Sequence, residues 1–487
     1  MLERLARQTA VYGISTILVR FLGYLLTPYY TRVFGQEHYG IITDLYALIP
    51  LMLTLLTMGM ESSYFRFSAK AEEAGGDVAA AKRRLYATTW GVTSAAALLF
   101  FAAATALRST LARWMGPAYA AHTDYVVWVA AIILFDVAST IPFARLREQG
   151  RPMTYVALKL LSVVLNVLLA FLFGACGLFA TSFGVGWVLV ANFAASALTW
   201  CVLLPVAEAP RPRIDRRLLA SILVYSLPLL IGGLAGTANE FIDRQLIKYL
   251  VPADAMAQMG IYGAITKIAV VMMLFYQMYR LAAEPFFLSN FKREEFTAMN
   301  AAALKYYVMA SMMIFLAIAL FRDLFALIVG RDFREGIGIL PVVLGANILA
   351  GVWLNLSFWY KRAERTSLAI LVTGSGLVAI LLAGWWLVPR LGYYGAAWAR
   401  LASETVMVVV SALLNRRFHP TPYQWGRIGE YVVAALLLFF AAEQLGVRIG
   451  GLPAYLLNAA LFCGYGAYLV RRERIDLRAL TRSLLKR

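Results

Sequence analysis

The sequence predicts an all-α integral membrane protein with about 14 transmembrane helices. Of its 487 residues, 61% are hydrophobic and only 15% are charged, and the mean hydropathy is +0.70. A soluble domain is roughly 45–50% apolar and about 25% charged, so this chain lacks the polar sequence to cover soluble surfaces. Apolar segments of roughly 20 residues, enough to cross a bilayer, recur along the chain. The distribution of Lys and Arg between the loops is the third observation, because it follows the alternation that membrane insertion imposes.

Fourteen spans follow in order from the apolar segments. Those of the first half are about 9–33, 39–65, 85–107, 124–145, 153–174, 178–204 and 218–241. Those of the second half are about 256–288, 301–321, 337–360, 367–388, 392–414, 428–445 and 452–470. The first is expected to be a membrane helix rather than a removable signal peptide, because no small-residue cleavage site follows it.

The positive charges predict the topology. The net charge is +18, from 45 Lys and Arg against 27 Asp and Glu. With the N-terminus inside and the loops alternating, the inside segments carry 29 of these cations and the outside loops carry 9. If one helix were missed or wrongly added, every later loop would be assigned to the opposite side of the membrane, and the excess of inside cations would disappear. The basic balance therefore predicts cytoplasmic N- and C-termini, and nucleic acid is not an expected partner.

A weak internal repeat divides the chain. Three motif pairs recur in order at a spacing near 215–220: 39–41 with 259–261, 176–178 with 394–396, and 145–151 with 361–365. A repeat of six helices keeps its orientation in the membrane, so it predicts two lobes related by a pseudo-twofold axis along the membrane normal. The predicted parts are an N-terminal lobe (1–208), a C-terminal lobe (209–415), and 416–487 with two further helices and a basic tail. The alternative is chance recurrence of small residues in apolar helices.

A family resemblance rests on loose motifs spread along the chain. They are Arg20-Phe-Leu-Gly23, Pro28-Tyr-Tyr-Thr-Arg32-Val-Phe-Gly35, Tyr39-Gly40, Asp243-Arg244, Gly260-Ile-Tyr262 and Gly392-Tyr-Tyr-Gly395-Ala-Ala. With the two-lobe layout, they resemble the multidrug/oligosaccharidyl-lipid/polysaccharide exporter superfamily, and most nearly its polysaccharide transporter branch of O-antigen-type lipid-linked oligosaccharide flippases. Lipid II flippases of that superfamily carry an Arg-Asp pair where this chain has Leu26 and Thr27. That departure disfavours the lipid II assignment.

Charged residues inside the predicted spans are the candidate site residues. A charge at the bilayer centre costs about 2.5–3.5 kcal/mol on insertion scales, so each needs a structural or functional reason. The resemblance implies a lipid pyrophosphate substrate, whose charge Arg and Lys side chains would bind through charge-assisted hydrogen bonds. The predicted pyrophosphate-binding cations are Arg20, Lys267, Arg280 and Arg400. The predicted proton-coupling groups or charge partners are Asp136 and Glu404.

Some of these residues have a structural alternative. Arg400 and Glu404 are one turn apart and can neutralise each other. Arg280 lies in a ladder with Tyr276 and Glu284, and its long side chain could instead extend to the cytoplasmic headgroups. Both interpretations stay open at this stage.

The remaining intramembrane charges also have either a structural or a functional interpretation. Asp136 is either a structural partner of Arg20 or a protonatable carboxylate that couples transport to a proton gradient. Lys159, a turn or two inside the fifth span, is expected to extend to the headgroups. Asp44 lies near the outer end of its helix, and we expect it to serve at a cavity mouth or in packing. Lys267 and Arg20 have no opposite charge three or four residues away.

The sequence predicts a transporter rather than an enzyme. It contains no nucleophile triad order, no phosphate-binding Walker loop and no metal-spaced Cys or His cluster. The resemblance implies a flippase that moves undecaprenyl-pyrophosphate-linked oligosaccharides across the bacterial inner membrane by alternating access, for a polysaccharide polymerase and chain-length regulators to use. No cofactor is expected, and any uphill transport would use a proton or sodium gradient. The alternatives are a cation-coupled multidrug exporter of the same superfamily and a polytopic polymerase or glycosyltransferase.

Overall fold

The computed structural model describes residues 18, 21–211, 213–289, 295–362 and 367–474. Within these ranges the regular secondary structure is entirely helical. In this part of the chain, twelve helices are long and apolar enough to cross a membrane, or thirteen if the bent pair Ala255–Ile268 and Val270–Glu284 is one span. These thirteen overlap the second to fourteenth predicted spans, and 11 of the 25 residues of the first (9–33) lie outside the described residues. The predicted fold class is confirmed.

The chain divides into two compact units by its internal contacts. Unit 1 comprises residues 1–264 and 380–396, and unit 2 comprises residues 265–379 and 397–487. The division 1–208, 209–415 and 416–487, which follows from the sequence repeat, stays a prediction.

Unit 1 is built mainly from the first ten helices of the described part. They are α1 (Leu26–Val33), α2 (Gln36–Thr57), α3 (Met60–Ala74), α4 (Val78–Ala106), α5 (Arg108–Met115), α6 (Pro117–Ala120), α7 (Thr123–Glu148), α8 (Pro152–Ala175), α9 (Gly186–Val206) and α10 (Arg216–Leu250). Helix α11 (Ala255–Ile268) begins in unit 1 and ends in unit 2.

Unit 2 contains most of the later helices. They are α12 (Val270–Ser289), α13 (Phe296–Leu320), α14 (Arg322–Ala326), α15 (Leu340–Arg362), α18 (Trp425–Ile449) and α19 (Gly451–Arg472). Helices α16 (Ser367–Leu391) and α17 (Tyr393–Phe418) contribute to both units.

Side-chain caps fix where two helices of unit 1 begin. The Asp77 carboxylate accepts a hydrogen bond from the Ala80 amide at 3.0 Å, which caps α4. Asp215 accepts from the Leu218 and Arg217 amides at 3.2 and 3.0 Å, which caps α10. These amide bonds lower the pKa of Asp215. Aspartate suits this position because it satisfies amides that have no partner within the helix.

Helix α7 lies at the centre of unit 1 and positions the candidate site. It packs on α4 and α9, and its residues Ile132, Val137 and Ile141 are fully buried. The Trp90 indole of α4 donates to the Ala138 carbonyl of α7 at 2.9 Å. Helix α7 is therefore fixed against its neighbours on one side, while its polar face is turned toward the cavity described next.

Candidate functional site

A polar cavity of about 330 Å³ lies inside unit 1. Its polar or aromatic lining comes mostly from three helices: Asp136, Thr140, Phe143 and Arg147 on α7, Tyr155, Lys159 and Ser162 on α8, and Asn192, Ser196 and Thr199 on α9. Within each helix these residues are three or four positions apart, so they share one helix face. The cavity therefore forms where the polar faces of three otherwise apolar helices meet.

Asp136 is the carboxylate of this cavity. It is half-buried and accepts a hydrogen bond from the Ser196 hydroxyl at 2.8 Å. Lys159 lies within electrostatic range of it, but no ion pair within 4 Å involves Asp136 in the described part of the chain. Tyr46 of α2 interacts electrostatically with Asp136 and hydrogen-bonds Asn192. The opposite charges thus share one cavity without closing into a contact pair.

Lys159 of α8 lines the same cavity as Asp136. Its ammonium lies 4.1 Å from the centroid of the Phe143 ring, and its extension to the headgroups stays a prediction. An ammonium over an aromatic face is stabilised by the ring quadrupole, and more so where water is scarce. The aromatic ring and the nearby carboxylate together account for a lysine at this depth.

An ion pair stands at the edge of the cavity. Glu61 of α3 pairs with Arg147 of α7, and their side chains are 41% and 31% exposed. The Arg147 guanidinium also lies 4.9 Å from the Phe65 ring centroid. Partly exposed pairs contribute little to stability, so this pair is better placed to order the cavity edge than to hold the helices together.

Two of the predicted cations lie on α11 and α12, on either side of the break between these helices. The two helices are bent by 52° where α11 ends and α12 begins. Lys267 is exposed at the end of α11. Arg280 of α12 pairs with Glu284 at 3.5 Å and interacts with Tyr276, so the ladder expected from their spacing is present. The substrate-binding roles of Lys267 and Arg280 stay predictions.

The other predicted site residues lie in α17 or outside the described part of the chain. Arg400 and Glu404 are half-buried and one turn apart on α17, and Glu404 lies within electrostatic range of Tyr307 on α13. Arg20 lies outside the described residues. Asp136 belongs to unit 1, whereas Lys267, Arg280, Arg400 and Glu404 belong to unit 2. The role predicted for each of these residues stays a prediction.

The neutral polar residues of α9 could have predicted the cavity from the sequence, in addition to the intramembrane charges. Asn192, Ser196 and Thr199 follow each other at four and three positions in an apolar span. Such spacing indicates a polar helix face, and in a membrane a polar face is usually turned toward protein or water. Because the candidate site residues were chosen as charged residues inside predicted spans, they include Asp136 but not these neutral residues.

Solved structures with a similar fold are membrane transporters. Lipid II flippase MurJ in an inward closed conformation aligns with a TM-score of 0.75 at 12% identity, covering 96% of this chain and 100% of that one. An inward-facing multidrug resistance MATE family transporter of the MOP superfamily gives 0.69 at 15% identity, covering 85% and 97%. The MATE multidrug transporter DinF-BH gives 0.62 at 15% identity, covering 86% and 96%. At these identities the similarity shows the fold.

The family follows from the sequence. Comparison with curated proteins gives no match. The model of the family described as "Polysaccharide biosynthesis protein" matches residues 5–291, which is more than half of the 487 residues. The resemblance inferred from the motifs is therefore confirmed at the level of family and superfamily fold. The chain belongs to the polysaccharide biosynthesis protein family and has the transporter fold of the MOP exporter superfamily.

Proposed function

We propose that the protein is a flippase that translocates undecaprenyl-pyrophosphate-linked oligosaccharide repeat units across the bacterial inner membrane. The family match over residues 5–291 is the observation that carries this proposal. The fold shared with a lipid II flippase supports it, since the cargo of that protein is also a lipid. The product would be used outside by a polysaccharide polymerase and its chain-length regulators in surface polysaccharide biosynthesis.

The cationic residues supply the chemistry that such a substrate needs. A lipid pyrophosphate carries about two negative charges, and moving it through hydrocarbon without partners is prohibitive. Arg20, Lys267, Arg280 and Arg400 are proposed to bind its oxygens through charge-assisted hydrogen bonds. The pairing of Arg280 with Glu284 at 3.5 Å is long and 56% exposed on the arginine side, so substrate oxygens could replace it at low cost.

The cavity of unit 1 is proposed to take part in the transport cycle. Asp136 is held by Ser196 and faces the ammonium of Lys159 without contact. A proton or sodium ion that joined Asp136 would change the net charge of this cavity. Glu404, half-buried on α17, is proposed either to perform the same task or to neutralise Arg400. Alternating access then requires the two predicted lobes to contact the substrate differently in the inward and outward states.

The test is to deplete the protein and then measure the amount and sidedness of undecaprenyl-pyrophosphate-linked oligosaccharides. Complete repeat units should accumulate on the cytoplasmic face, and Arg20→Ala or Lys267→Ala should reproduce this defect. The matched control is Lys70→Ala, which removes an exposed lysine of α3 and should be silent.

Two other outcomes would replace the proposal. Normal lipid-linked saccharides with increased sensitivity to cationic dyes would identify a multidrug exporter, the activity class of the MATE proteins that share the fold. Single repeat units that accumulate on the outer face would identify a polymerase acting after translocation.

A further inference from the structure

The charged groups that line the cavity of unit 1 balance one another. In the described part of the chain the lining contains two acidic and two basic residues. Glu61 pairs with Arg147 at the edge, and Asp136 shares the interior with Lys159. A ligand carboxylate or phosphate would enter beside two existing carboxylates and leave a negative charge without a partner, which is costly in a partly buried site. The cavity therefore favours a neutral polar ligand over an anionic one.

Asp136 and Lys159 leave complementary hydrogen-bonding capacity between them. They lie within electrostatic range of each other, but no ion pair within 4 Å joins them in the described part of the chain. The ionised carboxylate can only accept, beyond the one bond from Ser196 at 2.8 Å, and the ammonium can only donate. A ligand that bridges the two must donate at one end and accept at the other. Two neighbouring hydroxyl groups meet this need, because each hydroxyl is both donor and acceptor.

A buried hydroxyl of the same cavity has no partner. Thr199 of α9 lines the cavity and is 4% exposed, and its Oγ1 makes no hydrogen bond within the described residues. Thr140 of α7 also lines the cavity, but its hydroxyl donates to the Asp136 carbonyl of its own helix at 3.2 Å. A buried hydroxyl without a partner has lost its bonds to water with no return. Thr199 is therefore suited to a hydrogen bond that a ligand completes.

Aromatic and amide groups complete the lining. The Tyr155 ring of α8 lines the cavity and packs edge-on against Phe143, with ring centroids 5.3 Å apart. Asn192 and Ser162 add an amide and a hydroxyl, and each of these groups can donate and accept. Pockets for small organic molecules combine aromatic surface with a few placed polar groups, in volumes that begin at roughly 300 Å³. The cavity, at about 330 Å³, therefore suits a single small ring rather than a whole oligosaccharide.

We propose that the cavity of unit 1 is a saccharide subsite that binds one neutral sugar residue of the transported oligosaccharide. Neighbouring hydroxyls of the sugar bridge Asp136 and Lys159, and a further hydroxyl completes the hydrogen bond of Thr199. The apolar C–H face of the ring packs on Tyr155. A sugar fits because it carries several hydroxyls in fixed directions on an apolar ring and has no net charge. The inference rests on the proposed flippase function for the source of the sugar, and it makes these residues determinants of which repeat unit is accepted.

Protection of a single cysteine from alkylation tests the subsite without transport. In the full-length protein with its three native cysteines replaced by serine, Ser162→Cys places the only thiol in the cavity lining. The reagent is methyl methanethiosulfonate, and the probes are D-glucose, D-galactose, D-mannose, L-rhamnose and N-acetyl-D-glucosamine. At least one of them should slow labelling at least threefold and saturably, whereas its enantiomer, which has the same effect on the solvent, should not. If no probe protects more than its enantiomer, the subsite is overturned.

Two controls separate binding from general effects on the protein. A variant that keeps Cys176 as its only cysteine has an exposed thiol outside the cavity lining, and sugars should not change its labelling. Glucuronate and inorganic pyrophosphate should protect Ser162→Cys less than the effective neutral sugar, because their charge enters beside the carboxylates. Equal protection of Cys176, or stronger protection by the anions, would contradict a subsite for a neutral sugar.

Variants of the lining test the individual hydrogen bonds. Added to Ser162→Cys, Asp136→Asn and Lys159→Met should each weaken the affinity for the effective sugar at least tenfold. Thr199→Val keeps the shape of the side chain, and it should weaken the affinity about fivefold, as expected for loss of one hydrogen bond. The matched control is Thr93→Val, since Thr93 is buried in α4 and its hydroxyl bonds a carbonyl of its own helix at 3.1 Å. Unchanged affinity in all three lining variants would place the sugar elsewhere.

The binding assay and the depletion experiment can fail independently. Stereoselective protection together with normal lipid-linked oligosaccharides after depletion would keep the subsite and refute the proposed flippase function. Accumulation of repeat units on the cytoplasmic face without protection by any sugar would support the flippase and refute the subsite.

Discussion

Replacing Lys159 with methionine should strand the Asp136 carboxylate in its cavity. Methionine keeps an apolar stem beside the Phe143 ring, so the main change is loss of the ammonium that lies 4.1 Å from that ring and within electrostatic range of Asp136. The carboxylate then retains the Ser196 hydroxyl bond at 2.8 Å and no nearby cation of α8. The prediction is that the folded protein loses stability and that transport falls.

The magnitude follows from the environment of the pair. Removing one partner of a fully buried ion pair costs about 3–5 kcal/mol, and Asp136 is only half-buried and keeps one hydrogen bond. We therefore expect Lys159→Met to cost about 2 kcal/mol. Asp136→Asn should cost a similar amount, because it strands the lysine. The double variant should cost less than the sum of the two single variants, by about 1–2 kcal/mol, as coupled neighbours do.

The assay is thermal unfolding of the four proteins in one detergent, combined with sidedness of lipid-linked oligosaccharides in cells. Lys70→Met serves as control, since it makes the same chemical change at an exposed position of α3. Additive losses in the double variant would refute the argument that Asp136 and Lys159 neutralise each other. A loss in Lys70→Met as large as that in Lys159→Met would do the same.

Three further predictions concern a close helix contact in unit 1 and a buried ion pair in unit 2. Gly40→Ala should disrupt folding or insertion, because the added methyl group would lie 1.8 Å from the Met256 carbonyl oxygen. Gly35→Ala is the control and should be silent, because a methyl group there would have no atom within 4 Å. The measurement is the yield of monodisperse protein. Lys305→Met should lower the free energy of unfolding by about 3 kcal/mol, because it leaves the buried Glu473 carboxylate, which is 4% exposed, without its main cation. Arg427 also pairs with Glu473 but is 47% exposed, so Arg427→Gln should lower it by less than about 1 kcal/mol. Thermal unfolding measures both losses. Burial alone would raise the pKa of Glu473, but the hydrogen bonds from Lys305 and Tyr431, together with the charges of Lys305 and Arg427, leave the pKa lowered from 4.5. The stability that this carboxylate contributes should therefore be present above pH 4.5 and fall below it, and Lys305→Met should weaken this pH dependence in a series of melting curves.

The positions of the spans could be predicted because length and hydropathy decide them. The predicted span 124–145 became α7, Thr123–Glu148, and 452–470 became α19, Gly451–Arg472. The predicted single span 256–288 is instead broken between α11 and α12 with a 52° bend. The residues around Ala269 are Lys, Ile, Ala and Val, with neither the proline nor the glycine that usually announces a kink.

The partners of the polar residues could not be predicted, because packing selects them. Asp44 was expected at a cavity mouth or in packing from its place near a helix end. In the structure it is fully buried and bonded to residues 75, 201 and 204 positions away in sequence. Only Lys248 has a complementary full charge among these donors, and nothing in the local sequence pairs it with Asp44. Sequence spacing therefore defines a helix face, and the tertiary fold decides what that face meets.

The two acid–lysine pairs of unit 1 differ in a way that suits different tasks. Asp44 and Lys248 are in contact at 2.5 Å and buried, with 0% and 4% exposure, so separating them without access to water would leave two uncompensated charges. Asp136 and Lys159 share a cavity of about 330 Å³ and no contact within 4 Å joins them in the described part of the chain. Because neither charge of the second pair is fully satisfied by the other, each retains capacity for a proton, an ion or a polar substrate group. A contact pair stabilises one conformation, whereas a separated pair in a cavity can respond to what enters it, and the alternating-access function proposed above would require both properties.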